Sequence, residues 1–403
     1  MHSAPDNLSH NNPAVIISRR LSPLFACTSA LGLITVMLGP VLPALITRWS
    51  IQDSQAGTLF TASFLGQLIG AWFATRNLRL SLLSGAALAA AGTAALAWAS
   101  FPIAHLALFA SGLGVSAGLT AGNVIAGLST TQRARALALF NVSWSLGAIA
   151  CPALVRLCGP SNTPLFFLLA TAIVVIGGLL ASTLPRQLTD LSSPQSPSAV
   201  TTSMPLSRGS ILLFACCMLL YIGNENALGG WLPSFAVRSN VAVSASTIAA
   251  LYWISELLSR LAMAALLSRI SEAALYRFSL ALLLLTQLVL LLVPHPSPLL
   301  LFSGAIISGA AIGPVYPLLI AFLLARSANH PRLGRLFASA SLGGATLPWL
   351  TGTVSTHLGG LRVGLLVPAA GILLLLLLAP ALLRSPAPSI AHPSTPRPPQ
   401  PAL

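Results

Sequence analysis

Apolar residues run through this chain in long stretches separated by short polar gaps. Twelve of the stretches reach the ~20 residues that a helix needs to cross the hydrocarbon core of a bilayer. They lie near 22 to 46, 55 to 75, 79 to 99, 104 to 127, 136 to 157, 163 to 184, 210 to 234, 244 to 268, 273 to 293, 298 to 324, 333 to 357 and 361 to 383. The pattern predicts an all-α membrane protein with twelve transmembrane helices. An even number of spans puts both chain ends on one side.

Two gaps differ from the rest. Residues 185–209 are rich in Ser and Pro (Pro185, Pro194, Pro197, Pro205) and divide the spans six and six, and from 384 onward proline recurs at 386, 388, 393, 396, 398, 399 and 401. Such segments are extended and carry no packed core. The expected organisation is a tail (1–21), a six-helix bundle (22–184), a linker (185–209), a second bundle (210–383) and a Pro-rich tail (384–403).

Composition narrows the class. Of 403 residues 55% are apolar and 6% are charged, against ~25% charged in a typical soluble domain. A soluble globule and a disordered chain are both excluded. All twenty basic residues are Arg, and the acids are Asp6, Asp53, Asp190, Glu225, Glu256 and Glu272. The formal charge of +14 therefore reflects scarce acids. The arginines sit singly or in pairs between apolar runs, without the basic, aromatic-rich face that nucleic acid requires.

Their placement sets a topology, because short cytoplasmic loops retain Arg. With the N-terminus inside, Arg19, Arg20, Arg76, Arg79, Arg133, Arg135, Arg186, Arg208, Arg269, Arg277, Arg326, Arg332, Arg335, Arg384 and Arg397 are cytoplasmic. Only Arg48, Arg156, Arg238 and Arg362 are outside, and Arg260 lies within a span. Both termini are expected in the cytoplasm. Ser18-Arg19-Arg20-Leu21 has the look of a twin-arginine export signal, but the run behind it contains Pro40 and Pro43 and lacks a small-x-small cleavage site, so an uncleaved first helix is expected. Cys27, Cys151, Cys158, Cys216 and Cys217 lack neighbouring His or carboxylate ligands, and no metal site is expected.

The two halves repeat one another. At a shift of 190, Leu38, Gly39, Leu42, Pro43 and Arg48 fall on the identical residues Leu228, Gly229, Leu232, Pro233 and Arg238. At a shift of 196, Ser145-Leu146-Gly147 and Pro152 fall on Ser341-Leu342-Gly343 and Pro348. Each half enters the membrane in the same sense, which makes a parallel repeat about an axis along the membrane normal, with a cavity at the interface. The matched Gly residues suit either helix bending or close packing; bending is expected at the matched Pro residues.

On these features the chain resembles the major facilitator superfamily over about 22–383. The resemblance rests on the twelve-span pattern with its central linker, on Gly223, Glu225, Gly229, Gly230, Trp231, Leu232 and Pro233 in the seventh span, and on Pro317, Leu342, Gly343, Gly344, Pro348 and Trp349 in the tenth and eleventh. Fucose-permease-like and related sugar or drug carriers look nearest. The family's latch after the second span usually reads Gly-x-x-x-Asp-Arg-x-Gly-Arg. Here Ala71-Trp72-Phe73-Ala74-Thr75-Arg76-Asn77-Leu78-Arg79 keeps the arginines and loses the Asp and both Gly. The acids that such sugar symporters carry in spans one and four are replaced by neighbourhoods containing Met37 and Leu119.

Three charges fall inside spans, where an ionised group costs ~2.5–3.5 kcal/mol on insertion scales and needs a reason. Glu256 and Arg260 are one helical turn apart, as a structural ion pair or as a gate in which Arg260 lets go of Glu256 and the carboxylate takes a proton. Glu225 has no basic residue within four positions, only Tyr221, Asn224 and Asn226. It reads as a proton carrier, as a neutral carboxyl bonded to Asn, or as a group that binds a ligand hydroxyl. Glu225, Glu256 and Arg260 are the proton-coupling candidates. Gln67, Asn123, Asn141, Trp144, Tyr221, Asn224, Asn226, Trp253, Tyr316 and Trp349 are the substrate-binding candidates, with Gln287 a further polar residue of the spans.

The expected function is a secondary active transporter, a symporter of the inner membrane that moves a small sugar-like or polar metabolite with protons by alternating access. The alternatives are a proton-driven efflux carrier for drugs or metabolites and, remotely, a solute sensor that transports nothing. An enzyme is not expected, because the seven His residues lie in tails, loops or span ends. Nor is a cofactor, since no Gly-x-x-x-x-Gly-Lys loop exists. The expected partners are a small-molecule substrate, protons and lipid, with the chain a monomer.

Overall fold

The computed structural model describes residues 13–130, 132–186, 208–239, 242–327 and 333–383. The linker between Arg186 and Arg208, residues 1–12 of the first tail and the Pro-rich tail lie outside them, whereas residues 13–21, expected in the tail, extend the first helix. The described residues form helices α1 (Pro13–Thr35), α2 (Leu38–Trp49), α3 (Asp53–Phe73), α4 (Leu78–Ala95), α5 (Phe101–Leu128), α6 (Arg133–Cys158) and α7 (Thr163–Ser182) before the linker. After it come α8 (Arg208–Arg238), α9 (Ala245–Leu267), α10 (Glu272–Leu292), α11 (Pro298–Ile312), α12 (Val315–Ser327), α13 (Leu333–Leu358), α14 (Leu361–Gly364) and α15 (Leu366–Leu383).

Ten of these segments are long and apolar enough to cross a membrane, α11 and α12 together forming one, and the pair α1 and α2, bent by 41°, makes an eleventh. The expected run at 333 to 357 forms α13, which is rich in Ser, Thr and Gly and is not among them. Polar side chains open the helices where the chain re-enters. Asn77, Asn162, Ser244, Ser271 and Ser297 each accept from a backbone N–H of the first turn of α4, α7, α9, α10 and α11, satisfying donors that a helix start leaves unpaired.

The matched prolines do not break their helices. The break between α1 and α2 precedes Pro40, whose missing N–H cannot reach back to Val36; the copy of Pro40 is Gly230, and there α8 runs unbroken. The matched prolines Pro43, Pro233, Pro152 and Pro348 all lie inside continuous helices.

Glycine serves close packing. A Cβ on Gly147 would collide with the carbonyl oxygen of Ser29, and a Cβ on Gly343 with that of Leu219. Both pairs are related by the shifts of 196 and 190, so α6 lies on α1 as α13 lies on α8. The other neighbours repeat as well: α3 on α5, α4 on α5 and on α7 are matched by α9 on α11, α10 on α11 and on α15. Between the two sets, α2 meets α8, α3 meets α13 and α6 meets α9. Gly39 sits against the backbone of Gly229, its own copy.

Arginine closes four helix ends whose carbonyls have no intrahelical partner. Arg48 donates to the carbonyls of Leu96 (3.3 Å) and Ala97 (2.8 Å) after α4. Arg362 reaches those of Leu291, Val293 and Pro294 at the end of α10. At the opposite end of the molecule Arg79 holds Ser182 and Leu184 after α7, both at 2.8 Å, and Arg326 holds Leu382 of α15 at 2.6 Å. The capped helices are repeat equivalents; the helices that supply the arginines are not.

The backbone-to-backbone seats predict a sharp contrast. Gly147→Ala and Gly343→Ala force a helix off its neighbour and should each lose about 1–3 kcal/mol, the usual cost of overpacking. Gly127→Ala meets only Leu137 at 3.6 Å and should be neutral. Thermal unfolding of the detergent-purified variants, followed by monodispersity, measures the difference.

Candidate functional site

A cavity of about 290 Å³ lies between the two sets of helices. Its walls come from α1, α3, α5 and α6 on one side and α8, α9, α12 and α13 on the other. It lies on the side of the Gly39–Gly229 contact toward the end of the molecule where α1 starts, here the terminal end; the opposite end is the far end. Ala340 and Ser341 in α13 and Phe140 and Asn141 in α6, residues from the early turns of helices that start at the terminal end, form part of its wall.

Glu225, Glu256 and Arg260 form one cluster. Arg260 Nη2 lies 3.0 Å from Glu225 Oε1, and it also contacts Glu256 Oε1. The same nitrogen donates to Tyr221 Oη at 3.1 Å, and Tyr221 donates its hydroxyl proton to Glu225 Oε1. Arg260 Nε donates to the carbonyl of Gly313, an acceptor freed at the break between α11 and α12. Glu225 therefore has a basic partner, on another helix, where its neighbours in sequence offered none. The Asn alternative is corrected: Asn224 and Asn226 donate to the carbonyls of Leu220 and Ile222, one turn back on their own helix. Glu256 sits deepest, with Oε2 unpartnered, whereas Glu225 and Arg260 reach the cavity wall.

Of the binding candidates, Gln67, Asn123, Asn141, Trp144, Tyr221, Asn226, Trp253 and Tyr316 line the cavity. Asn224 does not; it is fully buried against Gly371 of α15. Nor does Trp349, which presses its backbone on Gly57 and is 41% exposed. Gln287 is buried away from the cavity and donates to Ser308. Thr35, Phe64, Thr120, Phe140 and Ser341, which are not among the candidates, also line the cavity, together with the apolar Val36, Leu119, Ile222 and Ala340. The repeat held a signal for Phe64, since the first residues of α3 and α9 are Asp53 and Ala245, and that register sets Phe64 opposite Glu256.

Aromatic rings bridge the two walls. Trp144 of α6 meets Trp253 of α9 edge-on, with centroids 5.9 Å apart. Tyr221 lies against Tyr316 at 5.3 Å. The Arg260 guanidinium lies 6.0 Å from the Trp144 ring centre, within cation–π range. The amides of Gln67 and Asn123 make no hydrogen bond among the described residues, and both line the cavity. Among the described residues no His, Cys, Asp and Glu group is placed to hold a metal ion.

Arg260→Ala leaves two carboxylates without their cation and should destabilise the fold by about 3–5 kcal/mol, as breaking a buried pair does. The triple variant Glu225→Gln, Glu256→Gln, Arg260→Ala should recover most of the loss. Folded fraction after size exclusion, compared across the set, is the measurement.

Among curated proteins none matches this chain in sequence. Solved structures match it in fold. A point mutant of the nucleoside transporter NupG superposes with a TM-score of 0.72 over 91% of this chain and 100% of its own, at 16% identity. A second NupG structure gives 0.68 over 91% and 98%, at 17% identity. A bacterial homolog of the human lysosomal transporter Spinster, in an inward-facing and unoccupied conformation, gives 0.67 over 92% and 99%, at 16% identity. The model of the Major Facilitator Superfamily matches residues 24–332. With that match over most of its length, and with repeated helix packing around a shared cavity, the chain is a multi-pass membrane transporter that belongs to the Major Facilitator Superfamily.

Proposed function

We propose that the protein is a proton-coupled secondary transporter of a small polar solute, working as a monomer in the inner membrane by alternating access. In this reading all twelve runs cross the bilayer, α13 included. The arginines of the terminal end (Arg76, Arg79, Arg133, Arg135, Arg186, Arg208, Arg269, Arg277 and Arg326) face the cytoplasm, and the cavity opens there.

One observation carries the coupling. Two carboxylates converge on a single guanidinium inside the membrane, so the ionised cluster holds one negative charge in excess. A proton balances it. Glu225 borders the cavity, whereas Glu256 is shut behind Arg260, so Glu225 exchanges the proton with the cavity and Glu256 keeps the guanidinium in place. Once Glu225 is neutral, the cluster as a whole is neutral and crosses the low-dielectric part of the cycle at less cost. A proton moving down a potential of 100 mV supplies ~2.3 kcal/mol, about a fifty-fold solute gradient.

The solute is read from the lining. The cavity's size of about 290 Å³ suits a solute of one or two small rings. Flat aromatic faces with free amides suit a sugar ring, or the base and ribose of a nucleoside such as NupG is named for. Arg260 is committed to the acids, so among the described lining residues no free cation waits for an anionic solute.

Reconstituted in proteoliposomes with an imposed pH step and presented with labelled monosaccharides and nucleosides, the native protein should accumulate one of them uphill. Glu225→Gln should lose that accumulation at least ten-fold while retaining solute exchange. Unchanged uphill accumulation in this variant would overturn the coupling role.

A further inference from the structure

The far end of the molecule is closed by side chains that the proton cluster does not touch. Asp53 is the first residue of α3, and Arg238 is the last of α8. Arg238 grips both carboxylate oxygens of Asp53, Nη1 to Oδ2 at 2.7 Å and Nη2 to Oδ1 at 2.6 Å. Ser355 of α13 donates its hydroxyl to Oδ2 at 2.5 Å. One residue further, the backbone N–H of Ser54 donates to Thr356 Oγ1 at 2.8 Å. Gly352 packs so close to the Asp53 carbonyl that a Cβ would collide with it.

Asp53 and Ser54 precede the linker; Arg238, Gly352, Ser355 and Thr356 follow it. Among the described residues this is the ion pair that crosses between the two helix sets, since both ion pairs of Arg260 lie within the second. Toward the cavity the seam continues through Phe60 against Trp231 and Gly39 against Gly229.

The arrangement is one-sided. The repeat gives Arg238 a twin in Arg48, but Ala245 opens α9 where Asp53 opens α3. Without an acid opposite, Arg48 turns to the carbonyls after α4. The ion pair thus ties α3 to α8, with α13 joined through the Ser355 hydroxyl, and the equivalent pair of α9 with α2 has no ion pair among the described residues.

We infer that Asp53, Arg238 and Ser355 are positioning residues of the transport cycle: a clamp that holds the far end shut while the cavity faces the terminal end, and that sets how often the far end opens. The chemistry suits a contact that must also break. A bidentate carboxylate–guanidinium pair is directional and strong when closed. Arg238 is 40% exposed, so on opening water takes over both charges, and the cost stays modest. A deeply buried pair has no such release.

The inference rests on the alternating-access reading, and its test needs neither solute nor proton flux. Failure here leaves the coupling role of Glu225 standing, and failure there leaves the clamp. Hydrogen–deuterium exchange of the full chain in detergent compares three far-end segments, 53–60, 231–238 and 349–356, with the terminal-end segments of the same helices. In Asp53→Asn, exchange should rise roughly ten-fold in the three far-end segments and stay unchanged elsewhere, as expected when a single seam opens more often. The swapped pair, Asp53→Arg with Arg238→Asp, should restore protection. Should Asp53→Asn not fold, Arg238→Gln, at a half-exposed position, provides the same comparison. Unchanged far-end exchange, or an equal rise throughout the chain, would overturn the clamp.

Discussion

A bilayer offers no water to a stranded charge or an unpaired carbonyl, and nearly every polar feature of this structure answers that constraint. The tightest answer is Arg260. One guanidinium takes two carboxylates, a tyrosine hydroxyl and the carbonyl left open at the break between α11 and α12. The same demand is met by Arg48, Arg79, Arg326 and Arg362 at helix ends, and by Arg238 at the far seam. A planar fork that bridges two or three oxygens does this work better than a point charge, which gives the absence of Lys a physical rationale.

The cluster and the clamp solve different problems with the same chemistry. The cluster is deep, lies within one helix set and carries one carboxylate more than it can neutralise. The clamp is shallow, joins the two sets and is balanced. One is suited to changing charge without changing shape; the other is suited to changing shape without changing charge. Between them lies the aromatic wall of Trp144 and Trp253, which puts a ring from one set against the guanidinium of the other.

Much of this was legible in the sequence. Apolar run lengths located the helices, and the shifts of 190 and 196 located the contacts that Ser29 and Leu219 repeat. Eight of ten proposed lining residues do line the cavity, because polar and aromatic side chains within apolar spans have few other places to go. Asn224 and Trp349 lie away from the cavity for a reason that periodicity cannot see: Asn224 packs its amide on Gly371 and Trp349 its backbone on Gly57. Pairings across helices were hidden. The one-turn spacing of Glu256 and Arg260 is a local signal, whereas Glu225 with Arg260, and Asp53 with Arg238, arise only when separate helices are packed. Proline coincides with a break only at Pro40; the helices run unbroken through the matched prolines.

The contact of Gly39 with Gly229 has a consequence for how such a duplicated chain can change. The contact is not reciprocal: a Cβ on Gly39 would meet the carbonyl of Gly229, whereas one on Gly229 would meet the rings of Trp253 and Tyr252, so a bulkier variant at each copy is met by a different partner. Arg48 and Arg238 likewise do unlike jobs with the same side chain. Divergence between the halves therefore extends to the centre, where the residue after Gly39 is Pro40 and the residue after Gly229 is Gly230, and each half can be altered there against its own surroundings.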